Sequence, residues 1–322
     1  MSPSSSSKNS TVVRTKNAPR LARAALQTAY LFSEELGASL AERLFITPRR
    51  HPRPDRERSV LATARQSIVD VTLRAPRWNN LRVPIVTWRW GLGPTVLLVH
   101  GWEGRGAQLG AFVEPLVAAG MSVVAFDAPG HGSSPDHRLY LTDLADCVAD
   151  VADNVGPLHG IIAHSFGAAA VLLANTRNGV RAPHNAMIAP NVLIEDSVSK
   201  FARFVGLDES DRIALEQRIA HHTGVPISTL QLQQLAGHRG NDDLLVIHDR
   251  DDREVEFVHG EQLAAMWPDA TLHEAPGLGH RRILRDPAVV AAVVDAISSD
   301  VAPPVSDLVR EVDRQLELGA LP

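Results

Sequence analysis

Gly160-Ile-Ile-Ala-His-Ser-Phe-Gly-Ala-Ala-Ala170 is the stretch on which the reading of this chain turns. A short apolar run, Gly160 to Ala163, passes directly into His164-Ser165 and then into an alanine-rich helix former. That reads as a buried strand entering a helix through a sharp turn at Ser165. Such a turn strains the serine backbone, exposes its hydroxyl and needs small residues two positions before and two after. Gly167 meets the need. Ala163 stands where glycine is usual and adds one methyl. Taken alone, the pattern also fits an ordinary helix N-cap serine, so its neighbours decide.

Runs of the same buried type are Thr95 to His100, Ser122 to Phe126 and Leu244 to His248. Ile68 to Val71, Val83 to Trp90 and Ala270 to Glu274 suggest further strands, and Ala186 to Ala189 is one more short apolar piece. Helical patterns lie between them, at Gln108 to Ala119, Thr142 to Val155, Phe166 to Asn175 and Gly260 to Trp267. This alternation predicts an α/β fold with a mostly parallel sheet covered on both faces. Right-handed crossovers put the strands' carboxyl ends on one edge, where ligands of such sheets bind. Residues 191–240 break the alternation: Asn191 to Gln234 is helix-like without a strand, as expected of a lid. The expected organisation is a disordered tail over 1–20, a helical extension over 21–66, a core over 67–190 and 241–300 interrupted by that lid, and a C-terminal helix over 301–322.

The strand-end residues carry the chemistry. A serine hydroxyl needs a base, and His280 is the best candidate. It follows Gly277-Leu-Gly279 and comes after the last strand, where a loop can fold back over the strand ends. The base needs an acid to fix its tautomer. Asp249, Asp251 and Asp252 all sit in the loop after the Leu244 strand. An oxyanion hole needs preorganised N–H donors, and the backbone of Phe166 and of Trp102 can supply them. Trp102 and His164 are the candidate substrate-binding residues, His164 with packing as its commoner reading. In the later stretch, Phe201, Phe204, Val205 and Leu215 could give an apolar face for an acyl group or simply pack onto the core.

VLLVHGWEG (96–104), VVAFDAPGHGSSP (123–135), GIIAHSFGAAA (160–170), LLVIHDRDDREV (244–255) and GLGHRRILRDP (277–287) together resemble the successive signature segments of α/β-hydrolase-fold enzymes. The resemblance spans about Leu81 to Val294. It implies an eight-stranded, mostly parallel sheet flanked by helices, with a helical lid inserted after the sixth strand. It also implies that Asp252 is the acid, and that Asp127 and His131 brace the active-site loops. The implied activity is hydrolysis of a carboxylic ester or related acyl bond through an acyl-enzyme on Ser165. Acyl transfer, thioester cleavage and a non-catalytic ligand-binding role are the alternatives.

Composition narrows the partners. A formal net charge of -5 argues against nucleic acid, which needs a basic surface. One cysteine, Cys147, cannot make an intrachain disulfide, so a cytoplasmic location is expected. The polar first twenty residues lack a signal-peptide core, although a transit peptide shares their composition. No stretch reads as a membrane span; Leu21 to Phe45, with apolar residues at helical spacing, reads as a helix docked on the domain. That helix has three further readings, an interfacial membrane helix, a contact at the site entrance or a homodimer interface. No H-E-x-x-H, Rossmann or Walker pattern appears, so no metal and no cofactor are expected, and the expected partner is a small ester-like molecule.

Overall fold

β3 (Thr95–Val99) and β4 (Ser122–Phe126) are buried along their whole length, and their side chains divide between two cores. Val96, Leu98, Val123 and Ala125 face one; Leu97, Val99, Val124 and Phe126 face the other. This is why these runs are continuously apolar instead of alternating: each strand has a helical layer on both faces. The computed structural model describes residues 18–235 and 242–301. Residues 1–17 of the expected tail, and the expected C-terminal helix from residue 302 onward, lie outside them.

The other strands are β1 (Arg65–Leu73), β2 (Leu81–Trp90), β5 (Leu158–His164), β6 (His184–Ile188), β7 (Asp243–His248) and β8 (Ala270–Glu274). The sheet order is β1-β2-β4-β3-β5-β6-β7-β8. Only β2 runs against its neighbours. β3 lies between β4 and β5, so the chain winds away from it in both directions. Their carboxyl ends therefore form the crevice in which doubly wound sheets hold ligands.

The helices are α1 (Ala18–Phe32), α2 (Glu34–Phe45), α3 (Asp55–Ala62), α4 (Val113–Ala118), α5 (Leu141–Val155), α6 (Phe166–Asn178), α7 (Ile194–Val205), α8 (Glu209–Thr223), α9 (Leu232–Leu235), α10 (Val258–Ala265), α11 (Gly279–Arg282) and α12 (Pro287–Ser298). Helices α5 and α6 close one core, and α4 and α12 close the other. No helix among the described residues is long and apolar enough to cross a membrane.

Three local expectations are corrected. Leu21 to Phe45 is two helices, because the Ser33 hydroxyl accepts the Leu36 N–H at 3.0 Å and starts a new helix, with Glu34 and Glu35 in its first turn, where acids favour the dipole. Gln108 to Ala119 is a 3₁₀ segment, Gly106–Phe112, followed by the short α4. Pro115 has no N–H to donate, so it is tolerated only near a helix start. β1 begins at Arg65, inside the stretch expected to be helical.

The segment after β6 carries α7, α8, a 3₁₀ turn and α9. Of the side chains weighed there for an apolar face, Leu215 and Val205 are buried in the core, Phe201 packs at a tilt against Phe45 with ring centroids 5.0 Å apart, and Phe204 is exposed. The same segment is tied to the N-terminal helices through Glu42, which is 2% exposed. Its carboxylate accepts the Tyr140 hydroxyl at 2.8 Å and Arg218 Nε at 2.9 Å and is paired with His222. Burial pushes this carboxyl up, yet the bonds from His222, Tyr140 and Arg218 outweigh it and hold the pKa below the usual value. Removing one member of such a buried charge cluster strands the others. Glu42→Ala is expected to cost about 3–5 kcal/mol in urea unfolding; a loss under about 1 kcal/mol would show that Glu42 is no anchor.

Candidate active site

Ser165 has φ 53° and ψ -123°, a conformation that strains any non-glycine residue by about 1–3 kcal/mol. Its surroundings hold it there. Its N–H donates to Ile188 O at 3.0 Å, and its carbonyl accepts from Ala168 and Asn191, each at 3.0 Å. The turn brings Gly167 against β3: a Cβ on it would lie 2.8 Å from Val99 O and 2.6 Å from His100 O. No side chain fits. The opposite position tolerates Ala163, which is fully buried in the core and paired with Val99 and Met187 across the sheet.

His280, on α11, reaches this turn. Its Nε2 is 2.9 Å from Ser165 Oγ and its Nδ1 is 2.7 Å from Asp252 Oδ2. A carboxylate only accepts, so Nδ1 carries a proton and a neutral ring leaves Nε2 free to accept from the serine hydroxyl. Asp252 is 8% exposed. Its other oxygen accepts the N–H groups of Glu254 at 2.8 Å and Val255 at 3.1 Å. Burial pushes the Asp252 carboxyl up, but bonds from His248, His280 and the Glu254 N–H prevail and hold it well below the usual carboxylate range.

The three aspartates of this loop therefore part company. Asp251 is exposed. Asp249 is buried and accepts the N–H of Gly279 at 2.5 Å and of Gly277 at 3.3 Å. It fixes the backbone of the loop that delivers His280, a role the sequence reading did not assign to it. Its place directly after β7 was the available signal.

Trp102 and Phe166 each adjoin the Ser165 turn, Phe166 as the next residue and Trp102 through Gly101, which packs against it. Gly101 allows this, since a Cβ there would come within 2.9 Å of Ser165 Cβ. The two rings meet edge to face at 5.9 Å. Phe166 is the first residue of α6, where a backbone N–H has no partner within the helix. Among the described residues, neither the Phe166 nor the Trp102 N–H donates a hydrogen bond within the protein. His164, weighed as substrate-binding, is 5% exposed and sits behind His280. Its Nε2 meets His280 O at 2.9 Å and the rings are 4.7 Å apart. That is the position of a brace on the histidine loop.

Two more histidines shape the crevice. His100 Nδ1 donates to Gly101 O at 2.8 Å while its Nε2 accepts the Ala128 N–H at 3.0 Å. His131 Nδ1 donates to Pro129 O at 3.0 Å and its Nε2 accepts the Glu103 N–H at 3.2 Å. Asp127 joins them by accepting the N–H groups of Gly106 at 2.8 Å and Ser133 at 2.6 Å. All of these bonds run from side chain to loop backbone and tie the Trp102 loop to the loop after β4.

The chain matches the Alpha/beta hydrolase family over residues 96–293. It belongs to that family. Among solved structures, this α/β hydrolase is similar to a thermophilic esterase from Thermogutta terrifontis, at 17% identity and TM-score 0.52 over 73% of this chain and 100% of that one. A monoacylglycerol lipase from Paleococcus ferrophilus matches at 20% identity and TM-score 0.52 over 67% and 98%. A bromoperoxidase from Bacillus anthracis matches at 16% identity and TM-score 0.53 over 73% and 100%. Likenesses at this identity speak for the fold of the α/β hydrolase and leave its substrate open.

Burial lowers the pKa of His100 from 6.5 to about 4, and those of His131 and His164 to about 3. These rings stay neutral in the fold but take up protons in the unfolded chain. Their contribution is fully present above about pH 6.5 and is lost as pH falls toward their folded values. Stability is expected to drop between about pH 6.5 and 4, each such histidine adding up to about 1.4 kcal/mol per pH unit. Urea unfolding across this range checks it: His131→Gln should flatten the slope, and an unchanged slope would mean that His131 takes up its proton over the same range folded as unfolded.

Proposed function

We propose that this α/β hydrolase cleaves a carboxylic ester of a small molecule through an acyl-enzyme on Ser165. The observation that carries the reading is the continuous relay from Ser165 Oγ through His280 to Asp252, at 2.9 and 2.7 Å. In this reading Ser165 Oγ attacks the carbonyl carbon while His280 Nε2 takes the hydroxyl proton. The ionised Asp252 holds the tautomer and stabilises the imidazolium. The N–H groups of Trp102 and Phe166 receive the charge that develops on the carbonyl oxygen. Collapse of the tetrahedral intermediate expels the alcohol, which takes the proton from His280. Water then gives a proton to His280 and attacks the acyl group, and Ser165 recovers its proton as the acid leaves.

The segment after β6 starts beside this centre, since the Asn191 N–H donates to Ser165 O at 3.0 Å. We assign it the role of a lid that sets acyl specificity. Esterase and monoacylglycerol lipase among the structural neighbours support an ester as the first substrate class to assay.

On short p-nitrophenyl esters, Ser165→Ala is expected to lower kcat/KM by at least about 10³-fold with its unfolding transition unchanged. Full activity in a folded Ser165→Ala protein would sink the mechanism. Asp252→Asn should lose about 10⁴-fold, because the amide favours the wrong tautomer of His280, whereas Asp251→Asn should keep wild-type activity.

A further inference from the structure

The far end of β5 carries a second cluster of reactive side chains. His159 stands at the start of β5 and His184 at the start of the adjacent β6, with ring centroids 4.9 Å apart. Asp300 follows the end of α12 and reaches both of them. Its Oδ1 lies 3.1 Å from His184 Nε2 and 3.5 Å from His159 Nε2. Gly160 makes the approach possible. A Cβ there would meet Ile297 Cγ2 at 2.9 Å, so only glycine lets the last turn of α12 rest on the strand.

We propose that His159, His184 and Asp300 bind a divalent transition-metal ion of the zinc type, at the end of the sheet opposite Ser165. The donor set is right for it: two imidazoles and a carboxylate suit zinc and its first-row neighbours. One donor atom from each residue lies within 4.8 Å of the other two. Metal–donor bonds of about 2.0–2.2 Å at tetrahedral angles put donors about 3.4 Å apart, and the separations of 3.1 and 3.5 Å straddle that. His159 Nε2 also lies 2.8 Å from the carbonyl of Ile297; a carbonyl only accepts, so without the ion this nitrogen donates its N–H there, and the ion takes the place of that proton as the ring shifts its N–H to Nδ1.

The tautomer of His184 is the strongest argument. Its Nδ1 faces Asp243 Oδ2 at 3.1 Å, and Asp243 is its cross-strand partner on β7. A carboxylate on one ring nitrogen takes that N–H and turns the other nitrogen's lone pair outward, as behind metal-bound histidines generally. His184 is 6% exposed, and its Nε2 makes no hydrogen bond of acceptable geometry although the Asp300 carboxylate is 3.1 Å away. A lone pair and a carboxylate oxygen facing each other at that distance need a positive charge between them, a proton or a metal ion. A second imidazole beside the same oxygen favours the metal. The site would pin the end of α12 to the starts of β5 and β6.

Isothermal titration of the full chain with zinc chloride tests this, with Co²⁺ as the spectroscopic probe. Wild type is expected to bind one tight equivalent, to show the strong visible bands of tetrahedral Co²⁺ and to gain melting temperature. Asp300→Asn, at an exposed position, and His184→Asn should each weaken binding at least tenfold and lose both signatures. Ester hydrolysis by Asp300→Asn should match wild type. If wild type takes up no zinc, or if Asp300→Asn binds it with unchanged stoichiometry and affinity, the ion is an adventitious ion only and the proposal is overturned.

Discussion

The turn at Ser165 can exist only because the carbonyls of Val99 and His100 are allowed to touch Gly167. This contact ties β5, α6 and the end of β3 into one rigid corner, and the rest of the crevice is arranged around it. A serine at φ 53° would relax into an ordinary helix start if the corner opened. Three backbone hydrogen bonds, to Ile188 and from Ala168 and Asn191, hold it shut. Strain kept at one residue is stable when its surroundings leave no alternative.

The loops that complete the site are held by buried side chains. Burial keeps His100, His131 and His164 neutral; His100 and His131 each donate from one ring nitrogen and accept at the other, and His164 donates from Nε2 to His280 O. Asp127, Asp249 and Asp252 each gather backbone N–H groups. Only Asp252 also meets His280. Loops are thus positioned by bonds from side chain to backbone. The donors and acceptors around Ser165 are in place before any ligand arrives, as electrostatic preorganisation demands.

Much of this was legible in the sequence, and for a definite reason. Buried parallel strands must be apolar on both faces, so Thr95–Val99, Ser122–Phe126 and Asp243–His248 announce themselves as runs. Ser165 and His280 could be found because each follows such a run or the last strand. Asp252 could not be separated from Asp249 and Asp251 by pattern, since three aspartates within four positions differ only in which way each side chain turns. The separation lies in distances: 2.7 Å to His280 for one, N–H groups of the Gly277–Gly279 loop for another, solvent for the third. The break at Ser33 was readable as a cap and lost to the longer apolar periodicity around it. Glu42 gave no signal at all, because its partners Tyr140, Arg218 and His222 are distant in the chain and only the fold brings them together.

The Glu42 cluster makes the N-terminal helices something other than an appendage. α2 presents one carboxylate to a hydroxyl on the core and to a guanidinium and an imidazole on α8. A chain shortened to begin at residue 46 would keep every residue around Ser165. It would nevertheless leave Tyr140, Arg218 and His222 sharing a hollow without their common acceptor. α8 is moored at Arg218 and His222, near its carboxyl end, and so has a fixed pivot there. The segment after β6 is therefore tied down at two separate places, at Arg218 and His222 on α8 and at Asn191, where its N–H is bonded to the carbonyl of the serine.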